Sequence, residues 1–305
     1  MADQMHLFPA EEEPGVPAPK TRGEIHPVDE VFSSVPDMRD GGRYIRMLEA
    51  VARFPRYSPF NAFLLYLQNP DASRVATAAT WSRQFGRQPK KGARPLIILA
   101  PMSPVHFVFD GAETEGDPLP RESLPEPALH QRQLQKVYDR TVHNAALHGV
   151  VIRHAQPEAI ATDPVMPLTY DVRKRHESLR LEAGSSYLVF LDSGQPTESR
   201  YASLVFGLGH IFCGHMGIDG RAWWEDRRDL DRRCAEVEAQ STALLVCRRK
   251  GDANASDRFL RRYRDREARV PAVSLHNVLH AVHYIEEMGR KRWKAPQRQS
   301  RYAGR

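Results

Sequence analysis

Three residues of metal-ligating type, His210, Cys213 and His215, fall within six positions of the stretch S-L-V-F-G-L-G-H-I-F-C-G-H-M-G (203–217). A second stretch about one helix later, C-A-E-V-E-A-Q-S-T-A-L-L-V-C-R-R-K-G (234–251), adds Cys234, Glu236 and Glu238. Imidazole, thiolate and carboxylate are zinc ligands, and three of them plus a water make the usual catalytic site. On a helix, Cys213 shares a face with His210 (i, i+3), whereas His215 (i+5) is rotated away. His215 then reads as a cap at the helix C-terminus beside Gly214 and Gly217, Cys213 as a small apolar packing residue, and His210 as a core histidine.

Two other groupings compete with this one. His276, His280 and His283 share a helical face at i, i+4 and i+7, a ligand-like spacing. They also lie at the polar flank of an apolar stripe, Leu275, Val278, Leu279 and Val282, where histidines are common. The run F-G-L-G-H-I-F-C-G has the glycines of a phosphate loop, but four residues rather than two separate its second glycine from its third. A dinucleotide fingerprint is therefore excluded. Gly207 and Gly209 each cost a helix about 1 kcal/mol against Ala, and a close helix–helix contact would explain them.

The elements that must hold these residues read as α+β: helices and a small antiparallel sheet first, then a small sheet packed on helices. Residues 1–35 are rich in Pro and Glu and read as a disordered or loosely draped arm. Helical spacing follows from Gly42, and Ser58-Pro59 opens a second helix that stops near Asn69-Pro70. A third helix is predicted from Thr80, then a basic turn over 86–92 and two apolar runs, 96–99 and 105–109, paired as a hairpin. Residues 111–127, with four prolines and five acidic residues, read as a linker between domains at 36–110 and 128–290. Beyond it come a helix over 129–149, strands at 150–152, 178–183 and 187–191, and helices near 197–213, 230–251, 257–264 and 274–289. A basic tail, 291–305, ends the chain.

The net charge of +6 is unevenly spread. Residues 36–110 hold eleven Lys/Arg against five Asp/Glu, and the last sixteen residues hold seven basic residues and no acidic one. In the first cluster Arg53, Arg56, Arg83, Arg87, Lys90, Lys91 and Arg94 interleave with aromatics, Trp81 among them. Single-stranded nucleic acid is held in this way, by cations along the phosphates and rings on the bases. The plainer alternative is that the rings form the core of a small domain. No apolar run approaches a membrane span, and the N-terminus has neither the basic start nor the apolar core of a secretory signal. With three cysteines at no paired spacing, a cytoplasmic protein without disulfides is expected.

With these motifs in view, the second half resembles the ImmA/IrrE family of zincin-like metallopeptidases. Residues 36–290 resemble the bacterial branch whose N-terminal domain is similar to that of the antirestriction protein ArdC. The resemblance rests on S-P-F-N-A-F-L-L (58–65), Trp81…Phe85-Gly86-Arg87…Lys91-Gly92, L-G-H-x-x-x-G-H (208–215), E-x-E-A-x-x-x-A-x-L-V-C (236–247) and V-P-x-V-S-L-x-x-V-L (270–279). It implies a zinc site in which His210 is the second helical histidine and Glu236 or Glu238 the third ligand; spacing does not choose between the two. The first histidine and the general-base glutamate of H-E-x-x-H fall on Phe206 and Gly207, which bind no metal and move no proton. The expectation is therefore a pseudopeptidase with a vestigial metal site and no cofactor, zinc being the one the family implies. It would act by binding single-stranded DNA or a protein partner. The alternatives are an active metallopeptidase with unorthodox ligands and a partner-binding adaptor.

Overall fold

The computed structural model describes residues 25–35, 37–100, 105–119, 129–155, 165–167, 185–218, 222–264 and 268–294. Several helix starts are set by a capping side chain or a first-position proline. α1 (Pro27–Ser34) has Pro at its first position, and Asp40 caps α2 (Gly41–Ala52) by accepting from the Arg43 N–H. Ser58 caps α3 (Pro59–Gln68). The first-half helices correct two sequence expectations. The arm is helical over Pro27–Ser34, with Phe32 buried, because one apolar ring found a site that composition does not reveal. α4 (Ala78–Phe85) starts earlier than Thr80, because Thr77 supplies the cap.

The first-half sheets are antiparallel. β1 (Val75–Ala76), β4 (His106–Asp110) and β3 (Leu96–Ile98) form one sheet in that order, and β3–β4 is the predicted pairing. β3 lies at the edge, where α3 covers its open backbone groups. The Asn61 and Gln68 side-chain amides each exchange two hydrogen bonds with the backbone, at Leu99 and Ile97 respectively. β2 (Arg87–Pro89) pairs with β5 (Thr114–Gly116). The basic turn and the first part of the expected linker are thus a two-stranded ribbon. The Arg87 guanidinium pins it by donating to the Thr114 hydroxyl (2.8 Å) and to the Asp117 carbonyl.

In the second half, α5 (Gln131–Ala146) leads into β6 (Val150–Ala155), and the sheet order is β6-β8-β7. β8 (Tyr187–Asp192) runs parallel to β6 and antiparallel to β7 (Val165–Pro167). The strand expected at 178–183 lies outside the described residues. α6 (Thr197–Phe212) packs between β8 and α7 (Arg232–Arg249). The helix expected at 257–264 is broken: α8 (Ala255–Arg258) and a 3-10 turn (Arg261–Tyr263) flank Leu260, which is left-handed at φ +58°. Ser274 caps α9 (Leu275–Arg290).

α2 and α3 pack on α7 and α9, so residues 41–68 share one continuous apolar core with the second half. At that junction the buried Arg249 guanidinium pairs with Glu286 and donates to the carbonyls of Val51, Phe54 and Tyr57. Among the described residues no helix is long and apolar enough to cross a membrane.

Candidate functional site: a buried histidine–carboxylate–arginine cluster

The cluster exists because α6 stops at Phe212. Gly214 takes the left-handed conformation (φ +82°), and a Cβ there would fall 2.0 Å from the Glu225 carbonyl oxygen. The chain doubles back, and the His215 N–H donates to the His210 carbonyl (3.0 Å). The His215 ring is thereby carried to the face of α7. This corrects the helical projection that rotated His215 away: past the αL residue the helical count no longer applies.

Glu238, on α7, is fully buried at the centre. Its Oε2 accepts from Arg227 Nη1 (2.6 Å) and lies 2.9 Å from His215 Nε2. Its Oε1 accepts from Arg227 Nη2 (2.8 Å) and from the Ser274 backbone N–H (2.7 Å). A carboxylate offers about four lone-pair sites. All four are filled. Because a carboxylate only accepts, His215 Nε2 carries a proton, and His215 Nδ1 faces His210 Nδ1 at 3.1 Å. Arg227 Nη1 also donates to the Cys213 carbonyl at the end of α6 (3.0 Å). Arg227 escapes sequence reasoning because it sits in an irregular segment with no period or motif.

Electrostatics follow this wiring. Burial pushes His210 down to about 3, the neighbouring His215 charge adds to the push, and Glu238 opposes it. Burial alone would raise Glu238, but the Arg227 and His215 hydrogen bonds and charges outweigh it and hold the carboxyl below its ordinary range. Burial, and then the Glu238 charge, push the Cys213 thiol up, so it keeps its proton.

Cys213, His215 and Glu238 offer donor atoms within 4.8 Å of one another. A divalent cation would first have to displace partners these groups already have: all the Glu238 lone pairs and both His215 ring nitrogens are engaged, and the Arg227 guanidinium already supplies the positive charge.

The positions singled out by motif divide. Phe206 sets its ring edge-on to His210 (4.8 Å between centroids) and stacks on Phe259 (6.4 Å). Gly207 faces the sheet, where a Cβ would meet Val189 Cγ1 at 3.1 Å; Gly209 is the helix–helix contact, 3.2 Å from the Ala239 carbonyl oxygen by the same measure. Of the two glutamates, Glu238 is in the cluster. Glu236 points outward, its side chain 38% exposed and its Oε2 3.8 Å from His210 Nε2. His276 and His280 stack on each other, His26 stacks on His276 at 3.7 Å, and Phe60 and Trp223 complete an aromatic pile rather than a ligand set.

The basic N-terminal residues also divide. Trp81 is fully buried and donates from Nε1 to the Phe109 carbonyl (2.8 Å), so its ring is core and presents no face to a base. Arg53 donates to the carbonyls of Pro70 and Ala72, Arg87 holds the β2–β5 ribbon, and Lys90 donates to the Ala112 carbonyl. Arg56, Arg83, Lys91 and Arg94 are exposed.

No family model and no curated protein matches the chain. Among solved structures it aligns with the metal-free crystal structure of antirestriction protein ArdC from plasmid R388 at 14% identity and a TM-score of 0.39, covering 85% of this chain and 100% of that one. The Mn(II)-bound form of the same protein aligns at 14% identity and a TM-score of 0.36, covering 76% and 84%. At this depth no residue is carried across.

Proposed function

We propose that the protein acts by binding and not by hydrolysis, on a zincin-like scaffold whose metal centre has given way to an internal ion-pair cluster. The observation that carries this reading is the saturation of Glu238, with Arg227 supplying the charge a divalent ion would otherwise supply. Phe206 and Gly207 support it, since neither side chain can activate a water. The proposed ligand is single-stranded nucleic acid. Its support is the excess of basic residues over 36–110 and the exposure of Arg56, Arg83, Lys91 and Arg94, with contacts made to phosphates and not through Trp81.

Two measurements test the reading. After incubation with excess zinc and gel filtration, elemental analysis is expected to find far less than one zinc per chain. Fluorescence anisotropy is expected to show salt-dependent binding of a labelled single-stranded oligonucleotide. Chelator-sensitive cleavage of a peptide would refute the non-hydrolytic reading, and a flat anisotropy trace at low salt would refute the ligand.

A further inference from the structure

Beside the cluster an open groove of about 690 Å³ runs along the N-terminal half of α7 to the 3-10 turn. Five arginines line it: Arg232 and Arg233 from α7, Arg258 from α8, and Arg261 and Arg262 from the turn. Among the described residues two carboxylates face them. Asp231 is committed to capping α7, accepting from the Arg233 and Cys234 N–H groups, and Glu236 is held by Gln240 Nε2 at 2.6 Å. Among the described residues, no apolar or aromatic side chain lines the groove. Two guanidinium groups are positioned in advance. Arg262 lies 4.8 Å over the Tyr263 ring and donates to its hydroxyl, and Arg258 pairs with Asp252.

This groove is the wrong chemistry for an apolar peptide, whose side chains need apolar or shaped pockets. It is the right chemistry for phosphate, which planar guanidinium forks grip in bidentate fashion. The first turn of α7 adds its N-terminal partial charge to the same floor. With no ring among the described lining residues to stack on a base, the contacts would be to the backbone and independent of sequence. We infer that the groove between Arg232 and Arg262 binds the phosphodiester backbone of a nucleic-acid strand. This site lies in the second half of the chain, apart from the basic cluster over 36–110, and the inference rests on the nucleic-acid reading above.

The test is anisotropy of a fluorescein-labelled 20-mer of deoxythymidine on the full chain across a salt series. It compares wild type with the triple variant Arg233→Ala, Arg261→Ala, Arg262→Ala, with the same three positions changed to Lys, and with Lys91→Ala, Arg94→Ala. All the altered side chains are exposed, so unchanged melting temperatures are expected. Losing about three phosphate contacts should lower the salt slope by about 2 and weaken binding roughly tenfold or more at 0.1 M salt. The Lys triple should recover most of the slope. If the Ala triple binds like wild type while the Lys91/Arg94 variant does not, the groove is not the site and the nucleic-acid reading stands. If wild type itself fails to bind, both fall. Competition by polyglutamate as strong as by polyphosphate would assign the groove to acidic peptide and overturn the inference.

Discussion

Arg227 and Glu238 meet in a two-pronged pair, Nη1 to Oε2 at 2.6 Å and Nη2 to Oε1 at 2.8 Å, with the carboxylate wholly out of water. The same guanidinium holds the Cys213 carbonyl, so one side chain ties the end of α6, the turn after it and the middle of α7 together. A buried pair of this kind is weak evidence for net stability, but removing one partner strands a buried charge.

Arg227→Ala is therefore expected to destabilise the fold by ~3–5 kcal/mol, read from urea denaturation. It also opens two lone pairs on Glu238 beside His215 and Cys213. Zinc should then raise the melting temperature of Arg227→Ala and leave wild type unmoved, by binding the native state alone. An equal response of both proteins would mean that Arg227 does not occupy the cation's place.

Acid should loosen this cluster before it touches most carboxylates. With His210 held at about 3 against an ordinary value of about 6.5, the unfolded chain takes up a proton in that window that the folded chain refuses. The contribution is complete above about pH 6.5 and declines as pH falls toward 3. Glu238, held low by Arg227 and His215, follows at more acid pH, below the ordinary carboxylate range. His280, pushed down to about 4 by burial and then by the His283 and His26 charges, has the same sign and overlaps the first window. His210→Asn, which keeps a polar group facing His215, should flatten the fall in melting temperature between pH 6.5 and 4 without abolishing it. A slope identical to wild type would show that the His210 imidazole is not held neutral by its surroundings.

What the sequence made legible was local. Ser58-Pro59 announced a helix start through capping, and the β3–β4 pairing followed from two apolar runs. The parallel pairing of β6 with β8 was not legible, since nothing in Val150–Ala155 names its partner 37 residues on. Within the site, the motif resemblance singled out His210 and the pair Glu236 and Glu238 without choosing between the two glutamates. His215 was misplaced because spacing assumes that the helix continues, and Gly214 ends that assumption. Arg227 left no trace, because an irregular segment has no period, and a lone arginine among other charges names no partner.

Installing the H-E-x-x-H letters should not create hydrolysis. A side chain at 207 would enter against Val189 and Val165, where even a Cβ has 3.1 Å to the nearest methyl. The double variant Phe206→His, Gly207→Glu is expected to lose stability, by ~1–3 kcal/mol for the overpacking and more for the carboxylate pressed onto the sheet. It should show no chelator-sensitive peptide cleavage. Cleavage by that variant would mean that only two side chains, and not the Arg227–Glu238 lock, separate this protein from a peptidase.

The last prediction concerns how the halves cohere. Arg249 is buried on α7, and its guanidinium answers the carbonyls of Val51, Phe54 and Tyr57 as well as Glu286, whose carboxyl it helps hold low against the opposing effect of burial. Arg249→Ala therefore takes from an acid and several backbone carbonyls in the core the guanidinium that answers them. The expected cost is again ~3–5 kcal/mol. Hydrogen exchange distinguishes two architectures. If residues 41–68 fold as part of the second half, Arg249→Ala should speed amide exchange in α2, α3, α7 and α9 together. If they are a separate unit docked on it, exchange should rise over 41–68 alone while α7 and α9 keep their protection, and the shared core would then be an interface between two independently folding parts.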